Sequence, residues 1–522
     1  MKKILLFPFL FIFTIFFTNN LLATHIPGGN ITYENIGPNT FVITLTVYED
    51  CGGLATISNL PKTITATNTC GLNSPTITLP NVIFQNEASQ LCSQLLGQSE
   101  CNGGAFPGVY MHVWSDTITL PGGCDSWLFS WDLCCRNTSI NANGNSNDLY
   151  IESILNSVTA PTNSSPVFTS QPIPYTCLNQ PVNYNFGVIE PDGDSLHYSL
   201  VSAMDAAGVF LPYNPGYSGS SPINGIAIDP NTGEITFTPQ LIGNFVVAVL
   251  IEEFNSNGDL VGSILQDFQF EILVCQNIGP SPPAGGIVNL YGADTLPGSL
   301  GFGIQACEGD SICFDMVFLD VDPNDTLSIT SNITQLFPGS TFSQTGSTSP
   351  VTASFCMVVL PGTNPFTAIN VTVTDNACPV NGSSSFVILL NVISSTYAGQ
   401  DVTMCFGVPT SLNSSGGSNF NWSVISGDPI SLGNNFSCNG CSNPVINPGY
   451  STVYEVVSNL SGGCSNTDTI SVDVVPDFNY SLTQSSTTTC LNSSIQFNAS
   501  PSPIGNYSYQ WSPATFLTNS NT

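Results

Sequence analysis

Four stretches of the chain share one order of polar and apolar positions, and each opens with a cysteine. They are Cys177-Leu-Asn-Gln-Pro-Val-Asn-Tyr-Asn185, Cys307-Glu-Gly-Asp-Ser-Ile-Cys-Phe-Asp315, Cys405-Phe-Gly-Val-Pro-Thr-Ser-Leu-Asn413 and Cys490-Leu-Asn-Ser-Ser-Ile-Gln-Phe-Asn498. After the Cys come four turn-prone or polar residues, then apolar residues at every second position. Side chains along a strand alternate between its faces, so Val182/Tyr184, Ile312/Phe314 and Ile495/Phe497 each share one face. In the third copy Thr410/Leu412 hold those places, a weaker match. Each copy predicts the first core strand of a β-sandwich, tied down by its Cys. Successive copies lie 130, 98 and 85 residues apart, about the size of a small domain.

The pattern divides the chain into a leader and five modules. In residues 1–23, Lys2-Lys3 precede an apolar run from Ile4 to Phe17, and Leu21-Leu-Ala23 offers a cleavage site; this predicts a secretory signal peptide. The run is shorter than the roughly 20 residues that span a bilayer, and no later segment is long enough to span. Residues 24–168 form a Cys-rich β domain, with strong alternation through Phe41-Val-Ile-Thr-Leu-Thr-Val-Tyr48. Residues 169–276 form a second sandwich, which Cys177 opens and Cys275 closes; the two are expected to pair. Leu196, Tyr198 and Leu200 should face its core, and His197 the other way. Residues 277–394 begin with a Gly/Pro-rich lead-in and continue as a third sandwich. Its Cys307, Cys313, Cys356 and Cys378 allow three pairings, of which Cys307–Cys378 with Cys313–Cys356 is favoured. Residues 395–476 are a fourth sandwich. Residues 477–522 begin a fifth module that the sequence does not close, so a longer protein is expected. The fold class is all-β: tandem β-sandwiches stapled by disulfides.

Charge narrows the partners. The chain has 4 Lys+Arg against 35 Asp+Glu, and a formal net charge of −31. Such a surface repels phosphate backbones, which excludes nucleic acid, and it disfavours anionic membranes. Divalent cations are its natural counter-ions. All 18 cysteines follow the leader and read as disulfides of an oxidising compartment. The three histidines, His25, His112 and His197, have no zinc-ligand spacing. Seven cysteines fall in residues 24–168, an odd number, so one must be free or pair outside. Vicinal Cys134-Cys135 are expected to take two different partners, because a bond between neighbours is strained. Cys438-Asn-Gly-Cys441 reads as a local structural disulfide.

The acidic turns are the best candidates for chemistry. Asp192 and Asp194, and separately Asp320, Asp322 and Asp325, place several carboxylates in one turn. Calcium takes six to eight oxygen ligands, many from Asp and from backbone carbonyls, so these turns are candidate calcium sites. Such residues also make good turns by capping their own backbone. No HExxH, GxSxG or phosphate-loop motif is present, so the chain is not expected to be an enzyme. Arg136 is the only arginine, and is expected to hold a loop through a bidentate pair with a carboxylate.

Three blocks carry a resemblance: "ATHIPGGNITYENIG…FVITLTVYEDCGG", "LPGGCDSWLFSWDLCCRN" and "YIESILNSVTAPTNSSPVF". They resemble the N-terminal region of very large secreted Bacteroidota surface proteins of the gliding-motility-associated type. Those carry Ig-like, cadherin-like and polycystic-kidney-disease-type (PKD) repeats and end in a type IX secretion sorting domain. Where that family has a Cys in the segment matching Ala160–Pro166, this chain has Thr162, which would account for the odd cysteine. Glu190-Pro-Asp-Gly-Asp-Ser-Leu-His-Tyr-Ser-Leu200 with Ile228–Pro239 resembles a cadherin-like module. Asp375-Asn376 resembles the Asp-Asn that ends cadherin-type repeats, adding Asp375 to the third module's calcium set. Cys405, Trp422 and Cys464 resemble an Ig-type core, in which Trp packs on a disulfide between the two cysteines. Tyr509-Gln-Trp-Ser-Pro513 resembles the front of a PKD-type repeat. The resemblance implies a secreted cell-surface stalk or adhesin, with extracellular glycans or proteins as partners and a secretion machinery engaged through a domain beyond Thr522. A carbohydrate-binding region attached to a larger secreted enzyme is the alternative.

Overall fold

The computed structural model describes residues 26–518, apart from 54–55, 143–146, 171–174, 276, 282–285, 298–301, 361–362, 460–463, 465, 478, 503–506, 514 and 516. The proposed leader, with its cleavage site, and His25 lie outside the described residues. The fold is all-β, with one short α-helix, Ile333–Leu336, and two 3-10 turns among the described elements. No described helix is long and apolar enough to cross a membrane. The chain divides into two compact units, residues 1–304, 311–358 and 366–391, and residues 305–310, 359–365 and 392–522.

In the first unit, the alternating strand Thr40–Asp50 pairs antiparallel with Gly28–Gly37 on one edge and Val109–Thr119 on the other. Its inward side chains Phe41, Ile43, Leu45 and Val47 pack with Trp114, Trp127 and Phe129. The sequence division at 168/169 does not follow the sheets. Strand Leu260–Leu273 pairs along its length with Gly243–Phe254. Its other edge passes from Leu149–Leu155, to Gly28–Gly37, to Tyr175–Cys177. The first two modules therefore share one 14-stranded sheet. Both faces of this strand are covered, so Val261–Phe270 is buried without interruption, as strands covered on both sides are. Phe268, Phe270 and Ile272 join the aromatic core of Tyr184, Phe186 and Phe237; Tyr48, Val109 and Val380 belong to that same core.

The buried run holds four polar residues, Ser263, Gln266, Asp267 and Gln269, and the last three have long polar side chains that need partners. Asn30 Nδ2 donates to Gln266 Oε1 at 2.7 Å. Arg136 grips Asp267 through two bonds of 2.6 Å; both side chains are buried. Its Nε also donates to the Asp148 carbonyl and Nη2 to that of Met204. Gln269 has no partner for its amide. Gly28 is required here by close approach: a Cβ would lie 2.2 Å from the Asp267 carbonyl oxygen.

The third module has two sheets. One runs Ile287–Tyr291, Ser311–Phe318, Val351–Val358, Thr341–Thr345; the other runs Asp294–Thr295, Gly303–Cys307, Ser383–Ile393, Phe366–Thr374, Ser328–Ser331. Phe318 of the first meets Phe386 of the second at 5.9 Å between ring centres. Val182/Tyr184 and Ile312/Phe314 are all buried, and so is Leu412 of the weaker third copy. Phe497 is exposed. It lies in a hairpin of Asn479–Gln484 with Phe497–Ser502, and two strands offer no second layer to bury it.

In the second unit, Val402–Cys405, Thr467–Val475, Thr452–Asn459 and Ser418–Ser426 form a sheet in that order. Its core includes Trp422, Phe436, Tyr454, Ile470 and Val472.

Eight disulfides are formed, and Cys405 and Cys490 are free and exposed. Cys177 joins Cys275, Cys313 joins Cys356, and Cys438 joins Cys441. Other pairings differ from the expectation. Cys378 bonds Cys92, 286 residues away, and not Cys307. The contact is built by the backbone around it: Leu91 bridges Val380, Cys92 N–H donates to the Pro379 carbonyl, and Gln90 Nε2 to that of Asn381. Cys92 is thus the odd cysteine of the first module, and it pairs outside. Cys307 bonds Cys464, so the expected Cys405–Cys464 bond is not formed. Cys405 sits opposite Val475 on an edge strand, and Trp422 donates to the carbonyl of Cys441, beside the local disulfide. Cys134 and Cys135 bond each other, across a cis peptide; the remaining cysteines of that module are paired as Cys51–Cys101 and Cys70–Cys124.

Candidate functional site

Two clusters of carboxylates bring sequence-marked residues together, both in the first unit. In the third module, Asp320 and Asp325 lie in the turn after strand Ser311–Phe318, and Asp375 follows strand Phe366–Thr374. One oxygen from each lies within 4.8 Å of the others. Asp375 is fixed: its Oδ1 accepts from Ala377 N–H at 3.0 Å and Gly382 N–H at 2.8 Å, its Oδ2 from Asn277 Nδ2 at 2.7 Å. Asp320 Oδ1 accepts from Asp322 N–H. Its Oδ2 is buried with no partner, although only 9% of the residue is exposed. Asp322 turns away to accept from Ile278 N–H. Asn376 caps Thr326 N–H. Burial first, then the neighbouring carboxylates, raises the Asp320 pKa; burial also raises that of Asp375.

The second cluster joins Glu190, Asp194 and Glu253. Asp194 was marked by the sequence. Asp192 was too, but its carboxylate accepts from Ser164 N–H instead. Glu190 Oε2 accepts from the Asp194 and Gly193 N–H groups, so the turn is wrapped around its carboxylate. Glu253 is fully buried on strand Gly243–Phe254. Its Oε2 accepts from Asn163 Nδ2 at 2.9 Å, and its Oε1 has no partner. Burial pushes Glu190 up to about 7 and Glu253 well above the usual carboxylate range. Sequence reading missed Glu253, and its signal was an acid inside the apolar run Phe245–Phe254.

Burying an anion without a counter-charge is costly. Each cluster nonetheless places three carboxylates together, with one buried oxygen unpartnered. Hard divalent cations bound by oxygen fit that donor set, and calcium tolerates its irregular geometry. Neither fixed cation of the described residues offers relief: Arg136 is committed to Asp267, and Lys62 lies over Trp114.

Both histidines of the described residues sit beside a glutamate. His112 and Glu49 are buried, with Nε2 and Oε2 2.7 Å apart. His112 Nδ1 accepts from Gln85 N–H, and the ring stacks on Trp114. His197 is half-exposed, 3.6 Å from Glu252.

No protein-family model and no curated protein matches the chain. Among solved structures, the eight N-terminal Ig domains of Down Syndrome Cell Adhesion Molecule match at 10% identity and TM-score 0.21, over 86% of this chain and 49% of that one. A titin I-band fragment matches at 13% and 0.20, over 60% and 98%. A protocadherin gammaB7 EC3-6 structure matches at 17% and 0.20, over 62% and 77%. The chain thus spans about half the length of the first of these. Scores this low add no argument, and the fold rests on the chain's own sheets and disulfides.

Proposed function

We propose that the protein is a secreted, multi-module cell-surface protein that works as a stalk or adhesin and carries no catalytic centre. The observation that carries this reading is the cysteine pairing. Eight disulfides require an oxidising compartment, and Cys92–Cys378 fastens the first module to the third. Such fastening serves a protein that transmits load or holds a binding surface in place. Calcium at the two carboxylate clusters would add a second fastening. The acidic surface directs partners toward neutral or cationic extracellular glycans and proteins. The resemblance in residues 24–168 supports a type IX-secreted, gliding-motility-associated protein, and weak contacts repeated along the cell surface would add up.

The test is binding of the full mature chain to glycan arrays and to cell surfaces. The expected result is retention on at least one of them that is lost when the disulfides are reduced. No retention on either would overturn the adhesin reading and leave a spacer.

A further inference from the structure

We infer that the hairpin Met204–Phe210 is an anchoring knob that docks into an apolar pocket, rimmed by Lys and Arg, of a cationic partner protein. The hairpin pairs Met204 with Phe210 and Ala206 with Val209. Its root is fixed. Ala203 and Leu211, on either side of it, are buried in a small core. Leu211 N–H donates to the Ala203 carbonyl at 2.8 Å, and Arg136 Nη2 donates to the Met204 carbonyl. Its tip is bare. Ala206-Ala207-Gly208-Val209-Phe210 are five consecutive apolar residues, all exposed, with Val209 at 51% and Phe210 at 62%. Neither of those two side chains belongs to the core in which the root packs. Single exposed apolar residues are ordinary, but a run of this length held open to water marks a surface that a partner covers.

The charge around the hairpin selects the partner. Asp205, within the hairpin, accepts from Asp148 N–H. Exposed Asp132 lies opposite Tyr150, which also pairs with Met204. Burial first, then Asp205 and Asp132, raises the Asp148 pKa, against the pull of Arg136. Three carboxylates therefore stand beside the hairpin, and the guanidinium near them is committed to Asp267. A second copy of this chain cannot answer them. Of its 4 Lys+Arg, Lys2 and Lys3 fall in the proposed leader, Arg136 is buried and Lys62 lies over Trp114. Anionic lipid is repelled by the same carboxylates. What fits is a different protein, with an apolar pocket for Phe210 and Val209 and basic side chains around its mouth: a desolvated anchor inside a complementary charged rim. Two side chains bury far less than a stable interface needs, so the contact is weak and gains strength by repetition along the surface. The inference rests on the adhesin reading and adds where the chain grips; it does not involve the carboxylate clusters proposed for calcium.

The experiment is titration of the full chain, at physiological salt, with a designed amphipathic peptide of Leu and Lys, its Leu/Glu counterpart and polylysine, read by calorimetry and hydrogen exchange. The expected result is micromolar binding of the Leu/Lys peptide, with exchange slowed across residues 203–212. The other two should bind about tenfold more weakly or worse, because each lacks one half of the match. Val209→Ser combined with Phe210→Ser should weaken the Leu/Lys peptide about tenfold or more, with the melting temperature unchanged because both side chains are exposed. Asp132→Lys should weaken it about threefold, the scale of one exposed charge pair. The inference is overturned if the double serine variant binds undiminished, or if polylysine or the Leu/Glu peptide binds as well. Protection of the hairpin by phosphatidylcholine vesicles but not by the peptide overturns it in favour of a lipid contact. Cell retention separates this inference from the adhesin reading. No retention of the wild type would sink that reading while the peptide still judges the hairpin, and full retention of the double serine variant would sink the hairpin as the anchor.

Discussion

Replacing Arg136 with Met is expected to destabilise the first unit by about 3–5 kcal/mol, the usual cost of removing one partner from a buried ion pair. Both side chains are enclosed, and the same guanidinium ties down the Asp148 and Met204 carbonyls. Without it Asp267, already pushed upward by burial and held down only by Arg136, would fold protonated or not at all. Arg136→Lys should recover only part of the loss, because an ammonium cannot grip both carboxylate oxygens in parallel. Arg136→Met combined with Asp267→Leu should lie closer to wild type than either single change. Urea unfolding of wild type, the three single variants and the double variant measures this. A loss below about 1 kcal/mol for Arg136→Met, the range of an exposed pair, would remove the lock from the account.

Calcium is expected to raise the unfolding free energy by about 2.7 kcal/mol at a concentration one hundred times its dissociation constant. Chelator should remove the gain. The pH dependence should change sign with the metal. A carboxyl whose folded-state pKa is raised binds its proton more tightly folded than unfolded. The chelated protein therefore loses stability as pH rises from the ordinary glutamate value of 4.5 toward the value of about 7 reached by Glu190. Calcium needs the ionised form, so its contribution grows over the same window. Chelated protein should melt higher near pH 5 than near pH 8, and calcium should shrink or reverse that difference. Glu253→Gln, which keeps the shape and removes the buried charge, should raise the chelated protein's melting temperature at pH 8 and reduce the calcium gain. Identical melting curves with calcium and with chelator would eliminate the metal.

The sequence was most legible where a residue's partners are near in the chain. Alternation located the buried pairs Val182/Tyr184 and Ile312/Phe314, and the Asp-rich turns located Asp320 and Asp325 of one carboxylate cluster and Asp194 of the other. It was least legible where partners are remote. Strand Leu260–Leu273 is buried on both faces for ten residues, so it carries no period-two signal, and its register with Gly28–Gly37 joins positions more than two hundred residues apart. The same distance hid Cys92–Cys378. The expected Ig-type bond failed for a local reason: Trp422 is already satisfied by the Cys441 carbonyl, and Cys405 lies exposed on an edge strand. Asn332, at the start of the helical turn Ile333–Leu336, and Asn370, in strand Phe366–Thr374, are joined by a hydrogen bond that only the folded chain brings about.

The proposed scaffold role depends on covalent fastening of module to module, and non-reducing peptide mapping of the protein reads it directly. The account predicts a linked peptide pair containing Cys92 and Cys378, and another containing Cys307 and Cys464. A Cys307–Cys378 link in their place, or free thiols at Cys92 and Cys378, would contradict it.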